Sequence, residues 1–334
     1  MNILLRLAIM TNIRQSGRLL SVALCLTFLS VGCSLEDPRD ACCAGGNRMV
    51  YSYKPYGTEA FDQYIHSMRH FLYSRDTGQF IEELPAGEDL RFQNLVLPTG
   101  DYTMVSLGNV THLTTVNPQK DENIKMLECE VDNMFGNQSD ILGDSDELYW
   151  GVRSFSIDDN GFLTESGSLR QGGVNRELVT YMNNIHCHLN IRIEWANIPE
   201  YIGDYEIELE SVHARYFLNP EYKNEVGEFI VPKSYDLRGY RRKVPMIAHN
   251  LEAEIVTFRL TDSSIPILRL KFQDRQIGPD IDLQRAFHIW GWHPSDVHVQ
   301  QYDIRIRIFG DGSIEVSPVI EASVDDWIDG GNFG

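Results

Sequence analysis

Cys33 is the residue with the clearest chemistry, because it stands where a thiol can be acylated. Arg14 and Arg18 form a basic start, residues 19–31 are an apolar stretch of 13, and Gly32 directly precedes the cysteine. This order is typical of a secretory signal peptide and is too short to span a bilayer stably. With a small residue before the cysteine, the pattern predicts cleavage of a lipoprotein signal at Cys33 and acylation of its thiol.

An ordinary cleaved signal with an incidental cysteine is the alternative interpretation of this segment. The chain starts either at Met1 or at Met10, because residues 10–18 alone make an adequate basic region. We assign residues 1–32 to the lipoprotein signal peptide and residues 33–45 to a flexible tether.

Four further cysteines follow the signal, namely Cys42, Cys43, Cys129 and Cys187. A bridge between the neighbours Cys42 and Cys43 would be strained, and Cys129 with Cys187 is the only easily imagined long-range pair. The count and spacing predict no obligatory disulfide framework.

His186 and His188 could bind a metal, since residues two apart on a strand project from the same face. They belong to the polar face of their strand, and no aspartate, glutamate or cysteine with ligand spacing accompanies them. We therefore expect solvated histidines and no metal site. Cys187 points to the opposite, apolar face, where we expect a buried and inert thiol.

Acidic clusters occur at residues 144–147, 158–159 and 325–329. A calcium loop needs alternating acids, a glycine and a terminal glutamate, and no cluster supplies that set. We therefore expect these clusters to be solvated turns.

His288, Trp290 and Trp292 are predicted to share one strand face. Exposed indoles in a row could stack on sugar rings, but a tryptophan in a β-sandwich protein more often packs in the core, and we favour the core. The sequence contains no nucleophile elbow, no Gly-rich phosphate loop and no His-Glu metal helix. It therefore predicts no catalytic residue, no small-molecule cofactor and no enzymatic activity.

The composition narrows the classes of partner. The chain has 29 Lys and Arg against 48 Asp and Glu, a net charge of −19, and loss of the signal removes three arginines and no acid, which makes it −22. A surface this acidic repels phosphate backbones, so nucleic acid is a poor partner. Apolar residues make up 43% of the chain, enough for real cores, and 334 residues suffice for about two domains.

The elements that must position these residues are strands. Residues 186–195 alternate polar and apolar without a break, and residues 205–218 do so with a phase shift after Ser211 that predicts a β-bulge. Residues 304–316 contain a Gly-Asp-Gly turn between two alternating runs and predict a hairpin. Residues 59–68 predict a short helix. The pattern indicates an all-β fold of sandwiches in which each strand buries one face.

A glycine-rich and polar stretch at residues 166–176 separates two halves of similar size. We place the domain boundary there. Residues 46–172 then form one β-sandwich and residues 173–334 the other.

Several short motifs occur in an order that matches one family. Residues 50–53 suit a first strand, residues 76–81 an Asp-x-Gly turn into a strand, residues 95–102 a Leu-x-Leu-Pro-x-Gly-x-Tyr hairpin, and residues 148–151 a Leu-Tyr-x-Gly strand entry. Together they resemble the FimB-type fimbrium anchoring subunits of Bacteroides-type lipoproteins. Residues 303–316 sit where that family has a later hairpin.

The resemblance implies two tandem transthyretin-like β-sandwiches tethered to the outer membrane by acyl chains on Cys33. It implies a role as the base of a fimbrium whose shaft subunits join by β-strand addition. The polar and acidic stretch Ser34, Leu35, Glu36 and Asp37 is similar to the export signal of such lipoproteins, which implies surface exposure. Residues 303–334 are the natural segment to donate or accept a strand, and both roles remain open.

A surface glycan-binding lipoprotein of a polysaccharide-uptake system is the alternative function. It shares the lipid anchor and the sandwiches, but it requires an exposed aromatic platform. Trp290 and Trp292 are the candidates for that platform.

Overall fold

The structure is a computed structural model, and it describes residues 46–118, 123–131, 141–165, 177–197, 199, 202–218 and 233–319. Its strands are β1 Asn47–Ser52, β2 Met68–Ser74, β3 Phe80–Leu84, β4 Phe92–Leu95, β5 Gly100–Gly108, β6 Thr114–Asn117, β7 Glu128–Val131, β8 Ile141–Leu142, β9 Tyr149–Ile157, β10 Leu163–Glu165, β11 Glu177–Tyr181, β12 Asn183–Asn184, β13 His186–Trp195, β14 Asp204–Phe217, β15 Lys233–Pro245, β16 Asn250–Phe258, β17 Ile267–Phe272, β18 Arg275–Gln276, β19 Ile281–Asp282, β20 Gln300–Ile308 and β21 Ile314–Pro318. Its helices are α1 Phe61–Tyr64 and α2 Leu283–Trp290, with 3₁₀ turns at Ile124–Met126 and Pro294–Asp296.

The strands form four sheets, which confirms the all-β prediction. A three-stranded sheet has the order β11-β1-β4, and a six-stranded sheet has the order β10-β9-β5-β2-β3 with β12 beside β9. A four-stranded sheet has the order β16-β13-β20-β21. An eight-stranded sheet has the order β18-β17-β14-β15-β8, with β19 on β17, β7 on β14 and β6 on β7.

The first core lies between the three-stranded and six-stranded sheets. Met49 and Tyr51 of β1 pack there with Leu72, Met104 and Phe155 of the larger sheet, and all five are buried. Aromatic and long apolar side chains from both sheets thus interdigitate, as in a β-sandwich.

The second core lies between the four-stranded and eight-stranded sheets. Alternate residues of β13 and β20, such as Ile191 and Ile306, are buried against Ile207 of β14 and Leu268 of β17. The intervening residues form charge pairs on the outer faces, for example Glu208 with Lys271 at 2.7 Å. Period-two alternation therefore predicted these strands correctly.

The six-stranded sheet is buried on both faces near its middle. Phe71, Val105 and Leu107 contribute to the second core, while their neighbours Leu72 and Met104 contribute to the first. In β5, all seven positions after the first two are buried. The expectation that each strand buries one face is therefore wrong for this sheet, because apolar layers cover it from both sides.

The predicted domain boundary falls within residues 166–176, which lie outside the described residues. After it, β11 runs parallel to β1 in the three-stranded sheet, and β12 pairs with β9. Before it, β7 pairs with β14 and β8 pairs with β15. The division into two domains and the transthyretin-like topology stay predictions.

Several local predictions are confirmed. The β14–β15 register shifts between Leu209 and Val212, where Ser211 has a φ of 69°, so the predicted bulge is present. β20 and β21 form the predicted hairpin. α1 lies inside the predicted helical range of residues 59–68.

α2 is the element that the sequence analysis missed. The Asp282 side chain accepts from Arg285 N at 2.9 Å as an N-cap, and Gly291 ends the helix with a φ of 70°. Leu283 and Phe287, at helical spacing, are its buried residues.

Among the described residues, no helix has the length and apolarity that a bilayer span requires.

Candidate functional site at the edge of the four-stranded sheet

β21 is the last strand of the four-stranded sheet, and its outer side carries backbone groups without a strand partner. Val319 N donates to Asp303 O at 2.8 Å, which marks one hydrogen-bonded pair of the β20–β21 ladder. Because such pairs alternate along an antiparallel ladder, the N–H groups of Ile314 and Val316 point away from β20. No described strand pairs with this side. We call it the outer edge of β21.

The side chains along the outer edge continue the second core. Ile314 lies opposite Ile308 and Val316 opposite Ile306, so both face the sandwich interior. Ile308 and Ile306 are buried, whereas Ile314 and Val316 are only partly buried. An added strand with apolar residues at alternate positions would therefore gain backbone hydrogen bonds and cover this half-exposed apolar row.

A groove opens beside the β20–β21 turn. It has a volume of about 360 Å³ and is lined by residues that include Trp195, Ile277 and Phe309. Gly278, with a φ of 75°, lies against the Ile314 side chain. A Cβ at this position would lie only 2.6 Å from Ile314 Cδ1. The side chain at the start of β21 is thus held in place from the opposite sheet.

The opposite edge of the same sheet, along β16, is sealed. Asp144 Oδ1 accepts from Val256 N at 3.2 Å, and Ser145 N donates to Val256 O at 2.9 Å. Arg242 donates to Glu254 O and pairs with Asp144 at 2.8 Å. Side chains and loop backbone thus satisfy Glu254 O and both backbone groups of Val256, and they cover the edge of β16 there.

The acidic cluster at residues 144–147 is therefore not a solvated turn as predicted. Asp144 also accepts from Tyr240 Oη at 2.8 Å, and the buried Asp146 accepts from Thr111 N at 2.9 Å. The local sequence does not show this, because the partners come from strands far along the chain. In the second cluster Asp159 is exposed in a turn, whereas Asp158 is partly buried and its Oδ1 accepts from Asn160 N and Phe162 N, each at 2.9 Å. Residues 325–329 lie outside the described residues.

Trp290 and Trp292 do not lie on a strand face, because α2 ends between them. Their ring centroids are 4.8 Å apart with planes inclined at 68°, and Trp292 also contacts Phe287 and Tyr302. Both indoles are partly buried against the second core. The rings share no plane, so they form a packed cluster and not a flat platform.

A second cavity lies next to Trp292. It has a volume of about 480 Å³, and its lining includes Asp262, Arg285 and His288. One indole edge with polar and charged neighbours is a suitable composition for a sugar, although the cavity has one aromatic wall only.

His186 is buried, which corrects the expectation of solvated histidines. It is 2% exposed; its Nδ1 donates to Leu148 O at 3.0 Å and its Nε2 accepts from Asn184 Nδ2 at 3.1 Å. Burial lowers the pKa of His186 to about 3. His188 is partly buried and lies 3.6 Å from Glu147 and 3.3 Å from Glu254. The loop before β9 covers this end of the polar face, and local alternation could not predict that.

The prediction that Cys187 is buried is confirmed. Cys129 and Cys187 are buried free thiols, and burial raises the pKa of both. Neither is a reactive thiolate at neutral pH. Cys33, Cys42 and Cys43 lie outside the described residues, so lipidation of Cys33 stays a prediction.

Sequence reasoning also missed a buried polar network in the first core. Tyr51 Oη lies 3.1 Å from His70 Nδ1 and 2.9 Å from Ser106 Oγ, and the last two atoms are 3.0 Å apart. A serine beside a histidine can act as a nucleophile only where substrate reaches it. Ser106 and His70 are each 1% exposed, so this network is structural.

The fold and the outer edge of β21 define the chain as an all-β sandwich protein with a strand edge that no described strand pairs with. A family model described as "Mfa2: Fimbrillin-A associated anchor proteins Mfa1 and Mfa2" matches residues 41–328. The chain belongs to this family of fimbrillin-A associated anchor proteins, which confirms the resemblance to fimbrium anchoring subunits. The comparison with curated proteins found no match.

Solved structures share the fold. A candidate polysaccharide-binding protein (DUF1812) from Bacteroides thetaiotaomicron matches with a TM-score of 0.58 at 13% identity, over 82% of this chain and 98% of that one. A candidate adhesin of the same species has a TM-score of 0.53 at 14% identity, over 81% and 95%. The fimbrial anchor protein Mfa2 from Porphyromonas gingivalis has a TM-score of 0.52 at 13% identity, over 80% and 94%.

Proposed function

We propose that this chain is the non-enzymatic anchor subunit of a fimbrium, held at the cell surface by lipid and joined to a shaft subunit by β-strand addition. Family membership supports the association with fimbriae. The observation that carries the mechanism is the outer edge of β21, where two apolar residues and their outward N–H groups lie unpaired by any described strand.

The edge acts as an acceptor in this proposal. An extended segment of the shaft subunit lies along β21, and main-chain hydrogen bonds to Ile314 and Val316 supply affinity. Alternate apolar side chains of that segment extend the second core over Ile306 and Ile308. The contacts that cover Glu254 and Val256 of β16 hinder the same sheet from recruiting a strand at its other end.

The lipid keeps the assembly on the cell. Acyl chains on Cys33 insert into the outer membrane, and residues 34–45 separate that anchor from the folded part. A single acyl chain gives only marginal membrane binding, so stable retention requires more than one acyl chain on Cys33.

Val316→Pro tests the edge. Proline removes the outward N–H of residue 316 and leaves the hydrogen bonds between β20 and β21 intact, because those come from the neighbouring positions. We expect cells that make this variant to shed fimbriae into the medium, and cells with the control Val316→Ile to retain them. Quantitative immunoblots of cells and medium measure the ratio.

Retention of fimbriae by Val316→Pro cells at the normal level would contradict the acceptor role. Thermal melting of the purified variant shows whether it folds. Ile314→Pro removes a second outward N–H of the same edge and gives an independent reading if the first variant is unstable.

Cys33→Ala tests the anchor. Metabolic labelling with an alkyne fatty acid should mark the wild-type chain and the control Cys42→Ala, but not Cys33→Ala. The Cys33→Ala protein should appear in soluble fractions instead of the membrane. Lipid label on Cys33→Ala would show that the acylated residue is another one.

The cavity beside Trp292 supports a second candidate function, glycan binding. Affinity electrophoresis in gels containing soluble polysaccharides tests it, with Trp292→Ala as the variant and Ile289→Ala, an exposed residue of α2, as the control. Retardation that Trp292→Ala abolishes would support this candidate. Unchanged mobility in every polysaccharide would remove it and leave the anchor role untouched.

A further inference from the structure

Three metal-ligating side chains converge where the loop before β9 meets the start of β13. They are Glu147, His186 and His188, and one ligand atom from each lies within 4.8 Å of the other two. The glutamate is separated from the histidines by about 40 residues of sequence and reaches them only through the fold. The cluster is unrelated to the outer edge of β21.

The buried histidine already has the hydrogen bond that metal-binding histidines usually have. His186 Nδ1 donates to the carbonyl of Leu148 at 3.0 Å. This bond places the proton on Nδ1, so Nε2 carries the lone pair that could bind a cation. Asn184 Nδ2, at 3.1 Å, occupies that lone pair now and would have to turn away.

The other two ligands lie toward solvent and can adjust. The His188 side chain is 17% exposed and the Glu147 side chain 51%. His188 Nε2 lies 3.6 Å from Glu147, and its Nδ1 lies 3.3 Å from Glu254 Oε1. Two carboxylates therefore surround one imidazole at the mouth of the cluster, and they favour a cation there.

We propose that Glu147, His186 and His188 bind one divalent transition-metal ion. Two imidazoles and one carboxylate are a ligand set that suits Zn²⁺, with water as the fourth ligand. Glu254, on the Nδ1 side of the His188 ring, would accept the hydrogen bond that orients this imidazole. Tetrahedral bonds of about 2.0 Å separate ligand atoms by about 3.3 Å, so the two outer side chains move inward by roughly 1 Å. The ion then links the loop that leads into the six-stranded sheet to a central strand of the four-stranded sheet.

Zn²⁺ and Co²⁺ titrations of the full mature chain, made without an affinity tag, test this site. The chain should carry Cys42→Ser and Cys43→Ser, because those thiols would also bind Zn²⁺. We expect one ion per chain, a visible absorption band of four-coordinate Co²⁺ that Zn²⁺ displaces, and a melting temperature that rises with added Zn²⁺.

His188→Ala and Glu147→Gln are the variants, because both positions are open enough to change without unfolding the chain. Each should weaken Zn²⁺ affinity by about tenfold or more. Glu252→Gln, which changes a carboxylate of β16 next to Arg192, is the control and should bind as the wild type does. Absence of stoichiometric binding would overturn the proposal, and so would affinity that neither His188→Ala nor Glu147→Gln reduces, which would show adventitious surface binding.

Discussion

At the scale of single residues, a buried arginine holds the segment that follows α2. Arg259 is fully buried, and its guanidinium donates to the carbonyls of Pro294 at 3.2 Å, of Val297, and of His298 at 2.9 Å. Gln300 also donates to Pro294 O, at 2.8 Å. Hydrogen bonds from two buried side chains therefore fix the segment that lies beside the tryptophan cluster.

Arg259→Met should destabilise the fold strongly. The change keeps most of the side-chain volume but removes the donor to the carbonyls of Val297 and His298, at about 1–3 kcal/mol each, while Pro294 O keeps Gln300. We expect the free energy of unfolding, measured by urea denaturation, to fall by about 2–4 kcal/mol. Arg285→Met on the exposed side of α2 is the control and should change it by no more than about 0.5 kcal/mol. Equal urea concentrations at the unfolding midpoints of the two variants would contradict the role given to Arg259.

Three buried histidines predict the pH dependence of stability. Burial lowers the pKa of His70 and of His213 to about 4, as it lowers that of His186 to about 3. Unfolded histidine protonates near pH 6.5, so between about pH 6.5 and 4 the unfolded chain binds protons that the folded chain does not. Their contribution to stability is therefore complete above about pH 6.5 and is lost as the pH falls toward 4.

His70→Gln should reduce this dependence. Between about pH 6.5 and 4, each such histidine adds up to about 1.4 kcal/mol per pH unit to the slope of the unfolding free energy against pH. The variant removes the contribution of one histidine. Urea unfolding at several pH values between 4 and 7 measures the slope. The exposed His288→Gln should leave the slope unchanged. A His70→Gln slope equal to that of the wild type would show that His70 is not neutral in the fold.

At the scale of elements, β9 lies tightly against the segment that joins β11 to β12. A Cβ on Gly151 would lie 2.7 Å from Met182 Sδ and 3.1 Å from Tyr181 O. Only glycine lets β9 approach this segment so closely. The close approach brings a strand of the three-stranded sheet next to one of the six-stranded sheet.

Gly151→Ala should therefore push these elements apart. We expect a loss of about 1–3 kcal/mol in the free energy of unfolding, as for other overpacked sites. Gly46→Ala, where a Cβ meets nothing within 4 Å, is the matched control and should be neutral. Thermal or urea unfolding compares the two. A neutral Gly151→Ala would mean that the strand can shift without cost.

Elements that follow from local alternation were predictable. β13 appears over the predicted ten residues, and the β20–β21 hairpin turns where the glycines predicted. The spacing of Trp290 and Trp292 fits a strand face, so it does not indicate α2, and the signals for this helix are its caps, Asp282 and Gly291. Strand partners were not predictable, since β1 pairs with β11 and β13 with β20 across more than 100 residues.

The candidate site was less predictable than the fold for the same reason. Alternation identified β21 as a strand, but whether a strand is an edge depends on which strands pair with it. The sealing of β16 depends on Asp144 and Arg242, which are distant from it in sequence. The His186 cluster depends on Glu147 in the same way.

At the scale of the whole molecule, the second core extends from the six-stranded sheet to both sheets of the later half. Phe71 and Val105 belong to the same buried cluster as Ile191 and Ile306. The six-stranded sheet thus contributes to both cores. Loss of either half would expose apolar surface that the other half now covers.

We therefore expect the mature chain to unfold in a single cooperative transition. Differential scanning calorimetry should give one peak whose calorimetric and van't Hoff enthalpies agree. Residues 46–172 expressed alone should aggregate, because they lack β11 and β12 and expose Phe71 and Val105. Two separate transitions, or a soluble and cooperatively folded fragment, would instead support two independent domains.

The two edges of the four-stranded sheet differ, because β16 is covered at Glu254 and Val256 while no described strand pairs with the outer edge of β21. Under the proposed strand addition, such a sheet would accept a partner strand at one edge only. A subunit of this kind would start one filament and would not be incorporated in the middle of another. The number of filaments per cell would then follow the number of copies of this chain, and the supply of shaft subunits would set only their length.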